Sequence, residues 1–286
     1  MLIMLLACAK KDSTLNNPTS TTPVSITENI HSSLPSAWVT EFGTIKSNLL
    51  SILPLFQTYY TDIVIYAWND NVADPFDGVE GGAYISTENN NQSAKRFVME
   101  IPNDEFTNNS YHRYSVIAHE YFHCYQQTLN YFMNKPNDDP EGFDIKWLIE
   151  GPAAALEGMY IQQYYSFDYI TNDQNQVNAA VFSTPSKYEA HSTSQGIDTN
   201  YSSSVFMVLV LAKELQLMGH SEAEAFKLIF KDYMATQPQD SNWKNKFSST
   251  FGLTVDAFYA KLATYTGQDN SNVSPTNTLT LQQIFN

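Results

Sequence analysis

Apolar residues recur at helical spacing through Trp38, Phe42, Ile45 and Leu49, and this predicts a helix over 34–53. Pro35 is tolerable in its first turn and Pro54 stops it. The period then changes. Residues 62–68, Asp-Ile-Val-Ile-Tyr-Ala-Trp, are β-branched and aromatic and read as a strand, followed by an Asp-, Gly- and Pro-rich loop over 69–82. Two further strands are expected at 83–86 and 96–101, around an Asn-rich turn at 89–91. Helical spacing returns over 110–132, and a loop at 133–143 carries Pro136 and Pro140. A lead-in at 144–149 enters a second helix over 150–165, with Pro152 in its first turn. Residues 166–200 are polar and poorly patterned; helices are expected at 202–217, 221–235 and 255–265. Strands before helices, after one leading helix, predict an α+β fold: a small N-terminal β-sheet followed by a mostly helical C-terminal part. One domain is expected over 28–267, with a C-terminal tail at 268–286.

Composition narrows the function classes. With 286 residues, 43% hydrophobic and 16% charged, the chain can bury a core without disulfide help. Fifteen basic against thirty acidic residues give a formal charge of −15. That excludes the basic surface a nucleic-acid partner needs, and charge attraction to anionic lipid. No run reaches the roughly 18 apolar residues of a spanning helix, so no transmembrane helix is expected. The only cysteines are Cys8 and Cys124, which excludes a disulfide framework or a Cys-rich zinc module. Leu5-Leu6-Ala7-Cys8 resembles a bacterial lipobox, although no basic stretch precedes the apolar run. The resemblance implies a signal-peptide remnant at 1–8, lipid on Cys8 and a flexible tether at 9–27. The domain would then sit on a bacterial envelope membrane, facing the periplasm or the cell surface. The other reading of this stretch is an apolar cytosolic start.

The chemistry concentrates in His119-Glu120-Tyr121-Phe122-His123 on the long helix. Residues four apart differ by about 40° around a helix axis, so His119 and His123 face the same way and can share one Zn²⁺. Glu120 sits beside them, placed to act on water at the metal rather than on the metal. A catalytic zinc needs a third protein ligand and an open position. Twenty-seven residues after His123, Glu150 stands where a carboxylate can face the first helix and complete a His₂Glu set.

His119–His123 followed by Trp147-Leu148-Ile149-Glu150-Gly151-Pro152-Ala153 resembles the gluzincin metallopeptidases, among them the aminopeptidase-N-like and peptidase MA-like groups. The resemblance implies a zincin-like catalytic domain, Zn²⁺ as cofactor, a peptide or protein substrate and Glu150 as third ligand. It also implies that Glu157, seven residues on and on the same helical face, could support the ligands; a plain surface residue is the competing reading. Ala154 departs from thermolysin-like enzymes, which carry there an Asp that orients a zinc-bound His. A weaker similarity, to the ends of peptidase MA-like chains, covers Phe247, Phe251-Gly252-Leu253-Thr254 and Phe258.

Gluzincin resemblance further implies an edge strand that pairs with an extended peptide. Gly82-Ala83 matches the start of the aminopeptidase Gly-Ala-Met-Glu-Asn stretch, but Tyr84 and Ile85 replace Met-Glu. The amine-binding Glu is therefore missing, which argues against a standard aminopeptidase; an ordinary hairpin is the alternative. Related enzymes place a His or Tyr after the third ligand to stabilise the oxyanion, and Tyr201, His191 and Tyr188 are the candidates. Cys124 points about 100° away from His123 and reads as a core thiol. His31, His112 and His220 receive no role. Two rivals stand beside a peptidase: a lipid-anchored peptide- or glycan-binding protein with a non-catalytic zinc site, and a zinc hydrolase of non-peptide amides or esters.

Overall fold

The structure, a computed structural model, describes residues 20–88, 91–135, 139–190 and 201–286. Cys8, most of the expected tether, the centre of the Asn-rich turn and His191 lie outside the described residues. Four strands form one mixed sheet in the order β1-β2-β4-β3. β1 (Ser25–Ile30), β2 (Asp62–Asn69) and β4 (Asn91–Ile101) run parallel, while β3 (Ala83–Glu88) lies antiparallel to β4 at one edge. Alternation along the strands sets the two faces. Ile63, Ile65 and Ala67 of β2, with Phe97, Met99 and Ile101 of β4, enter the main core. Trp68 and Val98 turn the other way, onto Val79 of the following loop.

Helix α1 (Ser36–Ile52) buries the expected face, Trp38, Phe42, Ile45 and Leu49, and the Trp38 indole donates to the Arg113 carbonyl at 2.8 Å. After the short α2 (Asn103–Thr107) comes α3 (His112–Leu129), buried on nearly every side. A 3-10 turn, Tyr131–Asn134, follows it. α4 (Lys146–Tyr165) starts four residues before the expected helix, so Pro152 lies in its second turn rather than its first. Pro152 cannot donate to the carbonyl four residues back, and burial of the surrounding turns offsets that loss. Short helices α5 (Tyr169–Asn172) and α6 (Ala180–Ser183) interrupt the poorly patterned stretch.

α7 (Tyr201–Leu217) is apolar nearly all round and runs through the core against α4. The two backbones approach closely at Gly151, where a Cβ would stand 2.6 Å from the Ser204 carbonyl oxygen. α8 (Glu222–Lys227) passes through a π turn, Leu228–Asp232, into α9 (Tyr233–Ala235). α10 (Trp243–Phe251) and α11 (Val255–Leu262) carry the Phe-rich stretch behind α4. Phe258 stacks on Trp147 at 5.5 Å between ring centroids and Phe247 meets the same indole edge-on. Gly252 ends α10 with φ 71°, and Thr254 caps α11 by accepting from the Ala257 amide.

The arrangement is α+β, with the sheet in the first third and helices after it. Both expected domain limits move outward. Ser25–Ile30, partly assigned to the tether, is a strand held by β2. The expected tail folds as α12 (Asn270–Val273) and α13 (Leu281–Phe285), and buries Val273, Leu281 and Ile284 in the main core.

Candidate metal centre

His119 and His123, one turn apart on α3, meet edge to face with their Nε2 atoms 3.0 Å apart. Glu150, in the second turn of α4, brings Oε2 to 3.2 Å from each Nε2. Zinc bonds of about 2.0–2.1 Å at the tetrahedral angle separate ligand atoms by about 3.3 Å, so a slight outward relaxation fits this triangle to the ion. Among the described residues these three form the group able to hold a metal ion.

The remaining imidazole nitrogens are committed elsewhere. His119 Nδ1 lies 3.2 Å from Glu157 Oε2. The other Glu157 oxygen accepts from Gln174 Nε2 at 2.5 Å, and that amide also donates to the Ala154 carbonyl at 3.1 Å. With a methyl at Ala154, His119 is thus held by a carboxylate one turn further along α4. His123 Nδ1 donates to Gln126 Oε1 at 2.8 Å, and Gln126 Nε2 donates to the Ile149 carbonyl at 2.9 Å. Both rings present Nε2 to the centre, and acceptors at both Nδ1 atoms favour the neutral tautomer a metal requires.

Glu120 is 5% exposed, and its Oε2 has no hydrogen-bond partner among the described residues. Burial raises the Glu120 carboxyl above the usual carboxylate range, against the pull of the two imidazoles. Burial also acts to raise Glu150, but His123 and His119 overcome it and hold that carboxyl well below the usual range. Burial acts to lower His119, and the Glu157, Glu150 and Glu120 carboxylates outweigh it, leaving the imidazole well above its ordinary value. Glu120 thus keeps one buried carboxylate oxygen unpartnered among the described residues, beside three converging metal donors.

The cleft divides at Glu120. A chamber of about 300 Å³ is lined by Ile85, Met133, Phe143 and Ile149, together with Lys146 and His123. A smaller one, about 90 Å³, is lined by His112, Val116, His119 and Glu157. Ala83 and Tyr201 border both. Glu100 N donates to the Gly82 carbonyl at 2.8 Å, so residues 82, 84 and 86 face β4. By alternation, Ala83 and Ile85 turn their backbone N–H and C=O toward the open edge.

Tyr201, at the start of α7, sets its ring edge-on to His119 at 5.4 Å and is 52% exposed. Burial raises its phenol above the ordinary value, and the site carboxylates add to the rise. Tyr188 is fully buried and borders neither chamber, which removes it as an oxyanion donor. Cys124 is a free, buried thiol that burial pushes far up, and it lies outside the donor group. Three residues that the sequence reading passed over belong to the site. Lys146 donates to Glu150 Oε1 at 2.7 Å. Gln126 fixes His123. His112 lines the small chamber, with Nδ1 2.6 Å from Glu105 Oε1. Two of them were within reach of helical spacing: Lys146 stands four residues before Glu150, and His112 seven before His119.

No known family's sequence profile matches the chain, and no curated protein sequence matches it.

Proposed function

We propose that the chain is a zinc-dependent peptidase of the gluzincin type. His119, His123 and Glu150 would hold the ion, which when bound polarises the scissile carbonyl and acidifies a water molecule. The observation that carries the reading is Glu120: a buried carboxylate with one oxygen unpartnered, next to the triad and between the two chambers. It takes the proton of the attacking water and hands it to the leaving amine. Burial lifts its proton affinity above that of an ordinary carboxylate, which suits a group that must accept and then release a proton.

The open edge of β3 supports a peptide over a small amide. An extended chain paired along Ala83 and Ile85 would run beside both chambers, since Ala83 borders both and Ile85 the larger. Tyr201 is the oxyanion donor of this reading, because its ring borders both chambers beside His119; His191 lies outside the described residues. The protein is anchored through lipid on Cys8, also outside the described residues, to a bacterial envelope membrane. No described helix is long and apolar enough to cross a membrane.

The test joins elemental analysis to peptide-library cleavage, on the wild-type chain and on Glu120→Gln. The wild type should hold about one zinc and cleave. Glu120→Gln should hold the same zinc and lose about 10²- to 10⁴-fold in turnover. A zinc-loaded wild type that cleaves nothing across broad libraries would leave the binding protein as the better reading.

A further inference from the structure

Lys146 is the buried cation of the cleft, and local helix energetics do not explain it. It is the first residue of α4, where the positive end of the helix dipole disfavours a cation. Its partner Glu150 lies four residues on, and Lys before Glu is the weaker order for such a pair. The two side chains are only 9% and 12% exposed, so both charges have also lost most of their hydration. Two local penalties and a weakened attraction at one contact mark a pair held for another reason.

The geometry of Glu150 supplies that reason. Its two carboxylate oxygens have separate tasks. Oε2 faces His119 Nε2 and His123 Nε2, at 3.2 Å from each. Oε1 accepts from Lys146 Nζ at 2.7 Å. The lysine is itself confined, with Nζ 5.8 Å from the centroid of the Tyr201 ring and its chain bordering the large chamber. We propose that Lys146 is a positioning residue of the metal centre: it holds Glu150 Oε1, so that Glu150 offers Oε2 alone to the metal. A carboxylate that turned both oxygens to an ion would take up a further coordination position; with Oε1 tied to Nζ, that position would be left to a reacting molecule. The inference rests on the metal-site reading above and adds a residue to it.

The experiment is X-ray absorption at the zinc edge on the zinc-loaded full chain, comparing wild type, Lys146→Met and Lys146→Arg. Wild type should show about four nitrogen or oxygen neighbours, and Lys146→Met about five as Glu150 turns both oxygens inward. Lys146→Arg, which keeps a cationic donor for Oε1, should return to about four. A role in fold stability alone would move the melting temperature and leave the neighbour count unchanged. The inference is overturned if Lys146→Met keeps the wild-type count and distances, or if wild type itself shows the higher count with both Glu150 oxygens bound. If Lys146→Met does not fold, a wild-type spectrum with both Glu150 oxygens bound still overturns the inference, and the same comparison is made with Lys146→Ala. A wild-type chain that takes up no zinc defeats the metal reading as a whole. A zinc-loaded chain with two-oxygen Glu150 defeats the role of Lys146 alone.

Discussion

Replacing Glu157 with alanine tests the hydrogen-bonded support of the centre without touching a metal donor. In the folded chain both Glu157 oxygens are used: Oε2 faces His119 Nδ1 and Oε1 accepts from Gln174 Nε2. Glu157→Ala leaves His119 Nδ1 without its partner and takes one of two acceptors from Gln174 Nε2, at a cost of about 1–3 kcal/mol for a buried group left unsatisfied. Loss of such an orienting partner typically lowers metal affinity about 10- to 100-fold, equivalent to about 1.4–2.7 kcal/mol. Glu157→Gln should fall between. Its single carbonyl oxygen can serve His119 or Gln174, not both. A flip of Gln174 would rescue the second contact only by giving up the bond to the Ala154 carbonyl at 3.1 Å. The net loss for Glu157→Gln is therefore about one hydrogen bond, near 1 kcal/mol. Zinc affinity should be read by competition with a chromogenic chelator at alkaline pH, where protons no longer compete for His119, and melts of the metal-free proteins read the stability cost. Equal zinc affinity in all three proteins would refute the orienting role, even if Glu157→Ala melts early.

Further outcomes follow from the same geometry. In the metal-free chain the raised His119 contributes stability that is full below its unfolded value of about 6.5 and is lost as pH rises through the folded value. The raised Glu120 costs stability from its unfolded value up to its folded value, and loss of the His119 contribution makes the metal-free protein melt lower at pH 9 than at pH 6. Zinc, which binds deprotonated imidazole, should reverse that order; melting curves at both pH values with and without metal check it. Gly151→Ala should destabilise by about 1–3 kcal/mol in urea titration, since the new methyl meets the Ser204 carbonyl at 2.6 Å and Val208 at 2.8 Å. Cys8→Ser should move the expressed protein from the membrane to the soluble fraction; unchanged partition would rule out the lipid.

The site was legible where local periodicity carried it. His119 and His123 are joined by one helical turn, and Glu150 was reachable because only one loop separates its helix from theirs. The fold was less legible where long-range pairing decides structure. Ser25-Ile-Thr-Glu-Asn-Ile30 is polar and largely exposed, and becomes a strand because β2 supplies a backbone partner, which no local pattern announces. Leu281–Phe285 looked like a tail because a five-residue helix shows little periodicity; its burial comes from contacts such as Phe285 stacked on Phe230. Gln126 and Gln174 could not be singled out from sequence, since an amide is selected there by geometry rather than by spacing.

The close approach of α4 and α7 has a mechanical consequence. The contact between Gly151 and the Ser204 carbonyl, one residue from Glu150 and three from Tyr201, is where a tilt of α7 would pivot. At 1.5 Å per residue, Tyr201 sits about 4.5 Å along α7 from that point and Leu217 about 20 Å away on the other side. A 10° tilt of α7 about the fulcrum would carry Leu217 through roughly 3.4 Å but Tyr201 through less than about 1 Å. The exposed end of the helix, Leu217 and Met218, is thus the long arm of a lever whose short arm ends at the metal centre. Under such a tilt, displacements at that surface would be geared down before they reach Tyr201, and the spacing between phenol and triad would change little.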